Sequence, residues 1–311
     1  MKCLYLLLIL VFITPSYANN TNLATHLQEI SVTVRAEKKH SKAEGSGVII
    51  TRELKLTPDS NETKKVNFVW TAGHVVDNLR SVRSVIDSQG RDRKTIEFTE
   101  AQIVKELVEE GRKVGELTMD AVVIKYSDAD NGQDLALLMV RKQNFVTASA
   151  KFYLEDKIIP IGTDLFHVGS LLGQPGANSM TSGIVSQVGR VRNLGSGTGV
   201  VFDQTTVTAF PGSSGGGVFL AEGDNAGQYI GMLTRGAGEG FNLVVPVRRL
   251  KKWCKEVDLM WALDDNIAPP PLSEIKQIKV EDSAMEANLP MSKEGYPVKF
   301  PFLIMKQTQK P

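Results

Sequence analysis

The stretch FPGSSGGGV, residues 210–218, decides how this chain is interpreted, because it places Ser214 inside a G-x-S-G-G motif. Glycines on both sides of a serine let the backbone turn sharply and keep bulky side chains away from the hydroxyl. Such a turn directs successive backbone N–H groups toward one point beside the hydroxyl, which is what acyl transfer requires. Gly and Ser are also frequent in flexible turns, so this motif alone does not distinguish a nucleophile from an ordinary loop.

Two further segments each place a reactive side chain at the end of an apolar strand. The first, VWTAGHVV at residues 69–76, is an apolar strand followed by a small-residue turn that carries His74. The second, NGQDLALLMV at residues 131–140, is a polar turn followed by Asp134 and a strand that we predict to be buried. The order His, Asp, Ser along the chain is the one found in double-barrel serine proteases, and unrelated serine hydrolases use other orders.

The motifs TAGH, DLALL and GSSGG together resemble those of the trypsin-like serine proteases, and more narrowly those of the HtrA/Deg branch. Two further landmarks of that branch are matched in the same order, GSGVII at residues 45–50 and TSGIVS at residues 181–186. The resemblance runs from about Ser31 to about Trp253. It implies an all-β fold of two packed antiparallel six-stranded β-barrels with a cleft between them.

The predicted organisation adds two helical elements to these barrels. Residues 19–150 are expected to form the N-terminal barrel, and residues 151–266 the C-terminal barrel with a closing helix after Pro246. Between about residues 89 and 116 the chain departs from the compact pattern of the family. Residues 99–111 are predicted to be helical, because four apolar residues share one helical face and a glycine ends the run. This insertion would either pack on the surface of the first barrel or form a substrate-contacting or regulatory loop.

Residues 267–311 are predicted to be an extended or mobile tail. They follow a triple proline and lack a periodic apolar face. HtrA relatives usually carry PDZ modules at this point, and the tail is about half as long as such a module. The expected resemblance is therefore to the HtrA/Deg branch without a PDZ domain.

The N-terminus has the pattern of a secretory signal peptide, predicted to span residues 1–18. A short basic start precedes an almost entirely apolar run at residues 4–14, and Ala18 closes a small-x-Ala cleavage signal. We therefore expect cleavage after Ala18 and a secreted or periplasmic chain without a stable membrane anchor; a retained anchor is the alternative. The mature chain would keep one cysteine, Cys254, so no intramolecular disulfide could form.

The composition argues against several classes of partner. The 36 Lys and Arg residues nearly balance the 35 Asp and Glu residues, so no basic excess suggests a nucleic acid. The four histidines are scattered without the paired spacing of metal ligands, and we predict neither a metal nor a cofactor. The resemblance implies polypeptide substrates, unfolded proteins among them, and leaves a homo-oligomer open.

The resemblance also implies a role for each residue of the site. Ser214 would attack the scissile carbonyl, His74 would take its proton and pass it to the leaving amine, and Asp134 would orient the imidazole. The N–H groups of Gly212 and Ser214 would bind the oxyanion. These residues could instead have purely structural roles: His74 could be a core histidine, and Asp134 could cap the start of a strand. His167 is the competing imidazole, in a segment that matches a packing position of the family.

The substrate pocket is expected between residues 206–210 and residues 234–240. Phe210 would narrow it in favour of small or medium apolar side chains, whereas Arg235 or Glu239 would add charge, and the sequence leaves this choice open. The predicted contacts with substrate are Thr208, Phe210, Thr234, Arg235 and Gly236.

Two other functions compete with a secreted or periplasmic serine endopeptidase. One is a catalytically inactive trypsin-like module that binds proteins or acts as a chaperone, and the complete set of three residues argues against it. The other is an esterase, although dedicated esterases mostly use a different motif and residue order. Ser213 occupies the position where digestive relatives have an Asp that pairs with a freshly cut N-terminus, so activation by propeptide cleavage is not expected.

Overall fold

In the computed structural model of this protein, the described residues are 17–280, apart from residues 39–40, 87, 89, 91, 131, 194–198, 237 and 239. The predicted signal peptide lies outside them as far as residue 16. The predicted cleavage point after Ala18 falls in the first turn of the first helix. Among the described residues, no helix combines the length and the hydrophobicity needed to cross a bilayer.

The first half of the chain builds a closed six-stranded barrel and a small additional sheet. In chain order its elements are α1 (Tyr17–Glu29), β1 (Ser31–Lys38), β2 (Ser41–Lys55), β3 (Thr63–Thr71), α2 (Gly73–Val76), β4 (Arg80–Ile86), β5 (Asp92–Phe98), β6 (Ala101–Glu109), β7 (Arg112–Ser127) and β8 (Leu135–Val140). The barrel has the spatial order β1-β2-β3-β8-β7-β6, and β4 and β5 pair separately. All strand pairs are antiparallel.

The second half builds another closed six-stranded barrel, followed by helices. Its elements are β9 (Asp164–Gly169), β10 (Ser179–Asn193), β11 (Gly199–Thr205), β12 (Gly217–Leu220), β13 (Tyr229–Gly236), β14 (Asn242–Pro246), α3 (Val247–Glu256) and α4 (Leu272–Ile275). The barrel has the spatial order β10-β11-β14-β13-β12-β9. The predicted two-barrel architecture is confirmed, and so is the closing helix, which begins directly after Pro246.

The closing helix fastens the second half of the chain to the first barrel. The ring of Trp253 on α3 meets Trp70 of β3 edge to face, with ring centroids 6.2 Å apart. Trp261, in the short 3₁₀ turn after α3, meets Phe68 of the same strand at 5.0 Å. Such aromatic pairs contribute roughly 0.5–1.5 kcal/mol each beyond the area they bury. Cys254, also on α3, is fully buried in this core, and burial raises the pKa of its thiol far above the usual range.

The predicted helical insertion is wrong: residues 101–109 form strand β6, paired with β1 on one edge and with β7 on the other. Glu110 and Gly111 both have positive φ, 49° and 76°, as in a two-residue hairpin turn. The glycine that suggested a helix end is therefore a hairpin turn. The apolar spacing was misleading because Ile103 faces the barrel core while Leu107 and Val108 lie on the exposed outer part of the hairpin.

The chain after the triple proline is packed as far as Val280, contrary to the extended or mobile tail predicted there. Residues 272–275 form the helical turn α4, and Ile275 is buried against the first barrel. The carbonyl of Val280 accepts a hydrogen bond from the N–H of Tyr126 at 2.8 Å, at the end of β7. The remainder of the tail, residues 281–311, lies outside the described residues.

Candidate active site

Ser214 lies in a tight turn that leads into β12, and glycines make this turn sterically possible. Gly212 and Gly215 have φ of +97° and +89°, a region that residues with side chains rarely adopt. A Cβ on Gly212 would collide with the carbonyl of Ser170, and one on Gly215 with the carbonyl of Ser46. The turn can therefore pack directly against backbone from both barrels.

Two peptide units of this turn, Pro211–Gly212 and Ser213–Ser214, are held through their carbonyls while their N–H groups donate no hydrogen bond to the described residues. The carbonyl of the Pro211–Gly212 unit accepts the N–H of Leu172 at 2.8 Å, and that of the Ser213–Ser214 unit accepts the N–H of Gly216 at 3.0 Å. In a trans peptide the N–H points away from the carbonyl, so each bond fixes an N–H on the opposite side. Neither N–H donates to any acceptor in the described part of the chain. Two free donors beside a serine hydroxyl are suited to bind an oxyanion.

Ser46, on β2 of the first barrel, fixes the two remaining carbonyls of the turn. Its N–H donates to the carbonyl of Ser214 at 2.7 Å, and its hydroxyl donates to the carbonyl of Gly212 at 2.8 Å. The same hydroxyl accepts the N–H of Ser170 at 2.7 Å, and the Ser46 carbonyl accepts the hydroxyl of Thr71 at 2.7 Å. Ser46 is fully buried, so these bonds are shielded from competition with water. From the sequence, the GSG motif was used only as a landmark of the family. The signal that could have indicated a structural role for Ser46 is a hydroxyl residue between two glycines in a strand.

His74 and Asp134 are joined by three hydrogen bonds. His74 belongs to α2, the single turn after β3, and its backbone N–H donates to Oδ1 of Asp134 at 3.0 Å. The imidazole Nδ1 lies 3.0 Å and 3.1 Å from the two carboxylate oxygens. The carboxylate is fully buried, whereas the His74 side chain is 37% exposed. Burial alone would raise the pKa of Asp134, but the hydrogen bonds and the charge of His74 outweigh it and lower that pKa. A carboxylate at Nδ1 holds the tautomer with its proton on Nδ1, which leaves the lone pair on the opposite nitrogen, Nε2.

Two arginines from the second half of the chain hold the loop that precedes Asp134. Arg249 on α3 donates to the carbonyl and to the side-chain oxygen of Gln133 at 2.7 Å and 2.8 Å, with its guanidinium 4.8 Å from the Phe202 ring centroid. Arg235 donates to the carbonyl of Ala129 at 3.2 Å. Asp134 has a positive φ of 57°, which an isolated turn would not keep without such support. The sequence analysis missed Arg249, because nothing in the pattern of α3 distinguishes it from the other basic residues there.

The hydroxyl of Ser214 donates to the carbonyl of Thr234 on β13 at 3.1 Å. In the described residues, no hydrogen bond joins this hydroxyl to His74. The neighbouring Ser213 is fully buried, and it closes the turn by exchanging two hydrogen bonds with Phe210 at 2.9 Å and 3.1 Å. The turn is therefore ordered by local bonds and needs no ion pair at Ser213.

The residues predicted to contact substrate belong to two segments, the two walls of the expected pocket: residues 206–210 before the turn of Ser214, and the end of β13, where the Thr234 carbonyl accepts the Ser214 hydroxyl. On the first wall, Thr208 is exposed and Phe210 is half exposed. On the second wall, Thr234 is buried and Gly236 ends β13. Asn242, at the start of β14, joins the walls: it pairs in register with Gly236, and its amide donates to the carbonyl of Val207 at 2.7 Å. The sequence analysis did not single out Asn242, because its proximity arises only from strand pairing.

His167, the competing imidazole, lies under the turn that carries Ser214, and no carboxylate of the described residues is paired with it. Its Nδ1 is 3.0 Å from the carbonyl of Gly217, and the side chain is fully buried on β9. Burial lowers the pKa of His167 to about 4. Neutral and enclosed, this imidazole packs against the turn that carries Ser214. Among the described residues, no cluster of His, Cys, Asp and Glu is arranged to hold a metal ion.

Comparison with known proteins identifies relatives of this chain. A model of the trypsin-like peptidase domain matches residues 45–232. The chain is 35% identical over 103 residues to a serine protease Do-like HtrA of Lactobacillus helveticus, which covers 33% of this chain and 24% of that protein. It is 32% identical over 139 residues to a probable periplasmic serine endoprotease DegP-like of Ectopseudomonas mendocina, covering 41% and 28%. The chain thus matches about a quarter of the length of these curated relatives.

Solved structures share the fold at low sequence identity. The serine endoprotease from Yersinia pestis superposes with a TM-score of 0.52 at 16% identity, over 78% of this chain and 67% of that chain. Deg5 gives a TM-score of 0.52 at 18% identity, over 81% and 99%. These similarities support the two-barrel fold and do not by themselves assign chemistry.

The depressed pKa of His167 predicts a loss of stability in acid. An unfolded histidine takes up a proton near pH 6.5, whereas the folded one does so only near pH 4, so the unfolded state binds more protons between these values. This group should therefore make the free energy of unfolding about 2 kcal/mol smaller at pH 4.5 than at pH 6.5. His167→Asn keeps a donor toward Gly217 and does not titrate. Urea unfolding at both pH values should show a smaller pH dependence for this variant, and equal pH dependence in both proteins would contradict the assignment.

Proposed function

The chain belongs to the trypsin-like peptidase family, and on that premise we propose that it is a serine endopeptidase that hydrolyses peptide bonds of polypeptide substrates through an acyl-enzyme. One observation carries the proposal. A buried carboxylate holds the imidazole of His74, and the adjacent Ser214 turn keeps two backbone N–H groups free for an oxyanion. Nucleophile, base, orienting group and oxyanion donors are the components that acyl transfer by a serine needs.

Acylation begins when the Ser214 hydroxyl attacks the scissile carbonyl carbon. Rotation about the Cα–Cβ bond moves the hydroxyl from the Thr234 carbonyl toward Nε2 of His74, which takes the proton as the new C–O bond forms. Asp134 stabilises the resulting imidazolium through Nδ1. The carbonyl oxygen becomes an oxyanion that accepts hydrogen bonds from the N–H groups of Gly212 and Ser214, each worth roughly 3–4 kcal/mol of barrier height. Collapse of this intermediate breaks the C–N bond, and His74 gives its proton to the leaving amine.

Deacylation repeats these steps with water as the nucleophile. His74 takes a proton from water, the hydroxide attacks the acyl carbonyl, and the same two N–H groups bind the second oxyanion. The Ser214 oxygen leaves with the proton from His74, which restores the free enzyme. Every proton and electron pair is thus transferred between substrate, water and residues of this chain, and no cofactor enters the scheme.

The second candidate function is an inactive trypsin-like binding or chaperone module. The hydrogen bond from Ser214 to the Thr234 carbonyl, in place of one to His74, is the observation that favours it. The two candidates differ in one measurable property: only the peptidase needs Ser214 to become nucleophilic when a substrate displaces this hydrogen bond.

The test combines a fluorophosphonate probe with unfolded casein, applied to the full chain. If the chain is a peptidase, we expect labelling at Ser214 and cleavage of casein. Ser214→Ala and His74→Ala should each lower cleavage by at least about a thousandfold, since members of a catalytic unit act together. Ser84→Ala, at an exposed position on β4, is the matched control and should retain activity. Absence of labelling would support the binding module, and labelling without cleavage of casein would support an esterase.

We also propose that the protein is exported to the periplasm or secreted. Two observations support this: the signal-peptide pattern that ends at Ala18, and the relatives named as probable periplasmic endoproteases. Sequencing of the N-terminus after expression in a Gram-negative host should give a chain that begins at or near Asn19. Retention of residues 4–14 in the isolated protein would contradict it and favour an anchor.

A further inference from the structure

Leu172 has a conformation and an exposure that the fold does not require. Its φ of +64° is in the left-handed region, which disfavours residues with side chains other than Asn and Asp. Its side chain is 64% exposed, so it gains little from burial. Gly or Asn would satisfy this backbone with less strain. A strained residue that displays an apolar side chain to solvent beside a candidate active site suggests a function for that side chain.

The loop around Leu172, residues 170–176, is held rigidly from the first barrel. The N–H of Ser170 donates to the hydroxyl of Ser46 at 2.7 Å, and the N–H of Gln174 donates to the carboxylate of Glu44 at 3.0 Å. The Gln174 side chain donates to Glu116 on the β6–β7 hairpin at 2.7 Å. The Leu172 side chain is thus presented on a fixed backbone, so binding through it costs little conformational entropy in the loop.

The position of this loop relative to β13 indicates which part of a substrate it would meet. β13 adjoins the serine turn on one side, where the N–H of Gly215 bonds to the carbonyl of Leu233 and Ser214 bonds to Thr234. Leu172 adjoins the other end of the same turn, where its N–H donates to the carbonyl of Pro211 at 2.8 Å. An extended polypeptide whose acyl half lies along β13 would therefore carry its leaving-group half past Leu172.

We propose that Leu172 contacts the substrate and determines specificity on the leaving-group side. It binds an apolar side chain of one of the first two residues after the scissile bond. This inference rests on the proposed peptidase function and adds a class of substrate to it: sequences with an apolar residue directly beyond the cleaved bond.

The partition of the acyl-enzyme between water and an added amine tests this proposal. A peptide thiobenzyl ester ending in alanine acylates Ser214 and releases the thiol. An amino-acid amide then attacks the acyl carbonyl through its nitrogen, His74 takes the amine proton and passes it to the departing Ser214 oxygen, and a new peptide bond forms. The ratio of transfer product to hydrolysis product, measured by chromatography, reports binding of the leaving-group residues alone.

The wild-type enzyme should favour leucinamide, or glycyl-leucinamide, over the glycinamide or glycyl-glycinamide counterpart by about five- to tenfold. Leu172→Asn and Leu172→Gly both suit the left-handed backbone and should bring this preference close to one. Because the preference is a ratio within each variant, a change in the overall rate does not affect it. Ile86→Asn removes an exposed apolar side chain on β4, outside both barrels, and should keep the wild-type preference.

Three outcomes would overturn the proposal, and they separate its failure from that of the proposed function. A wild-type enzyme that turns over the ester without preferring leucine refutes only the role of Leu172. The same holds if both Leu172 variants keep the preference while their melting temperatures match the wild type. A wild-type chain that does not turn over the ester at all refutes the peptidase, and the inference falls with it.

Discussion

The geometry of the site depends on the fixed orientation of four consecutive carbonyls, from Pro211 to Ser214. Each accepts a hydrogen bond, two from Ser46 on the first barrel and two from N–H groups of the second half of the chain. Because a trans peptide directs its N–H opposite to its carbonyl, the bonds from Leu172 and Gly216 determine where the two free N–H groups of the turn point. The bonds from Ser46 fix the peptide unit that follows each of these two. The two N–H groups proposed as oxyanion donors are therefore held in place in the free protein, so the proposed reaction would not have to reorganise them.

The two barrels hold each other's reactive groups in place. Ser46 of the first barrel binds the serine turn of the second, while Arg249 and Arg235 of the second half bind the loop that carries Asp134 on the first. The packing of Trp253 on Trp70 supports both contacts. The environment also separates the two imidazoles of the region: His74 is partly exposed and paired with a carboxylate, whereas His167 is enclosed and kept neutral by burial. Position in the fold therefore distinguishes the imidazole that we propose as the general base from the one that packs the core.

Sequence reasoning reached the two barrels because short motifs around His74, Asp134 and Ser214 combine apolar strands with turns that need small residues. It failed for residues 101–109, where the apolar spacing fits one face of a helix, because pairing with β1 and β7 overrides local preference. It missed Arg249 and Asn242, since their partners are more than thirty residues away in sequence. The strained backbone of Leu172 could not be predicted either, because no sequence pattern indicates a positive φ at a leucine.

The kinetics of Ser46→Ala show whether Ser46 supports the proposed oxyanion donors from the opposite barrel, by fixing the peptide units that follow theirs in the turn. Loss of the hydroxyl frees the carbonyl of Gly212, so kcat for a peptide substrate should fall about tenfold to a hundredfold with KM little changed. Thr33→Val is the matched control, because it removes another buried hydroxyl bond to Ser170, at 2.5 Å, without contacting the serine turn. We expect a similar loss of stability in both variants, about 1–3 kcal/mol, and a loss of kcat only in Ser46→Ala. Equal kcat values in the two variants would contradict it.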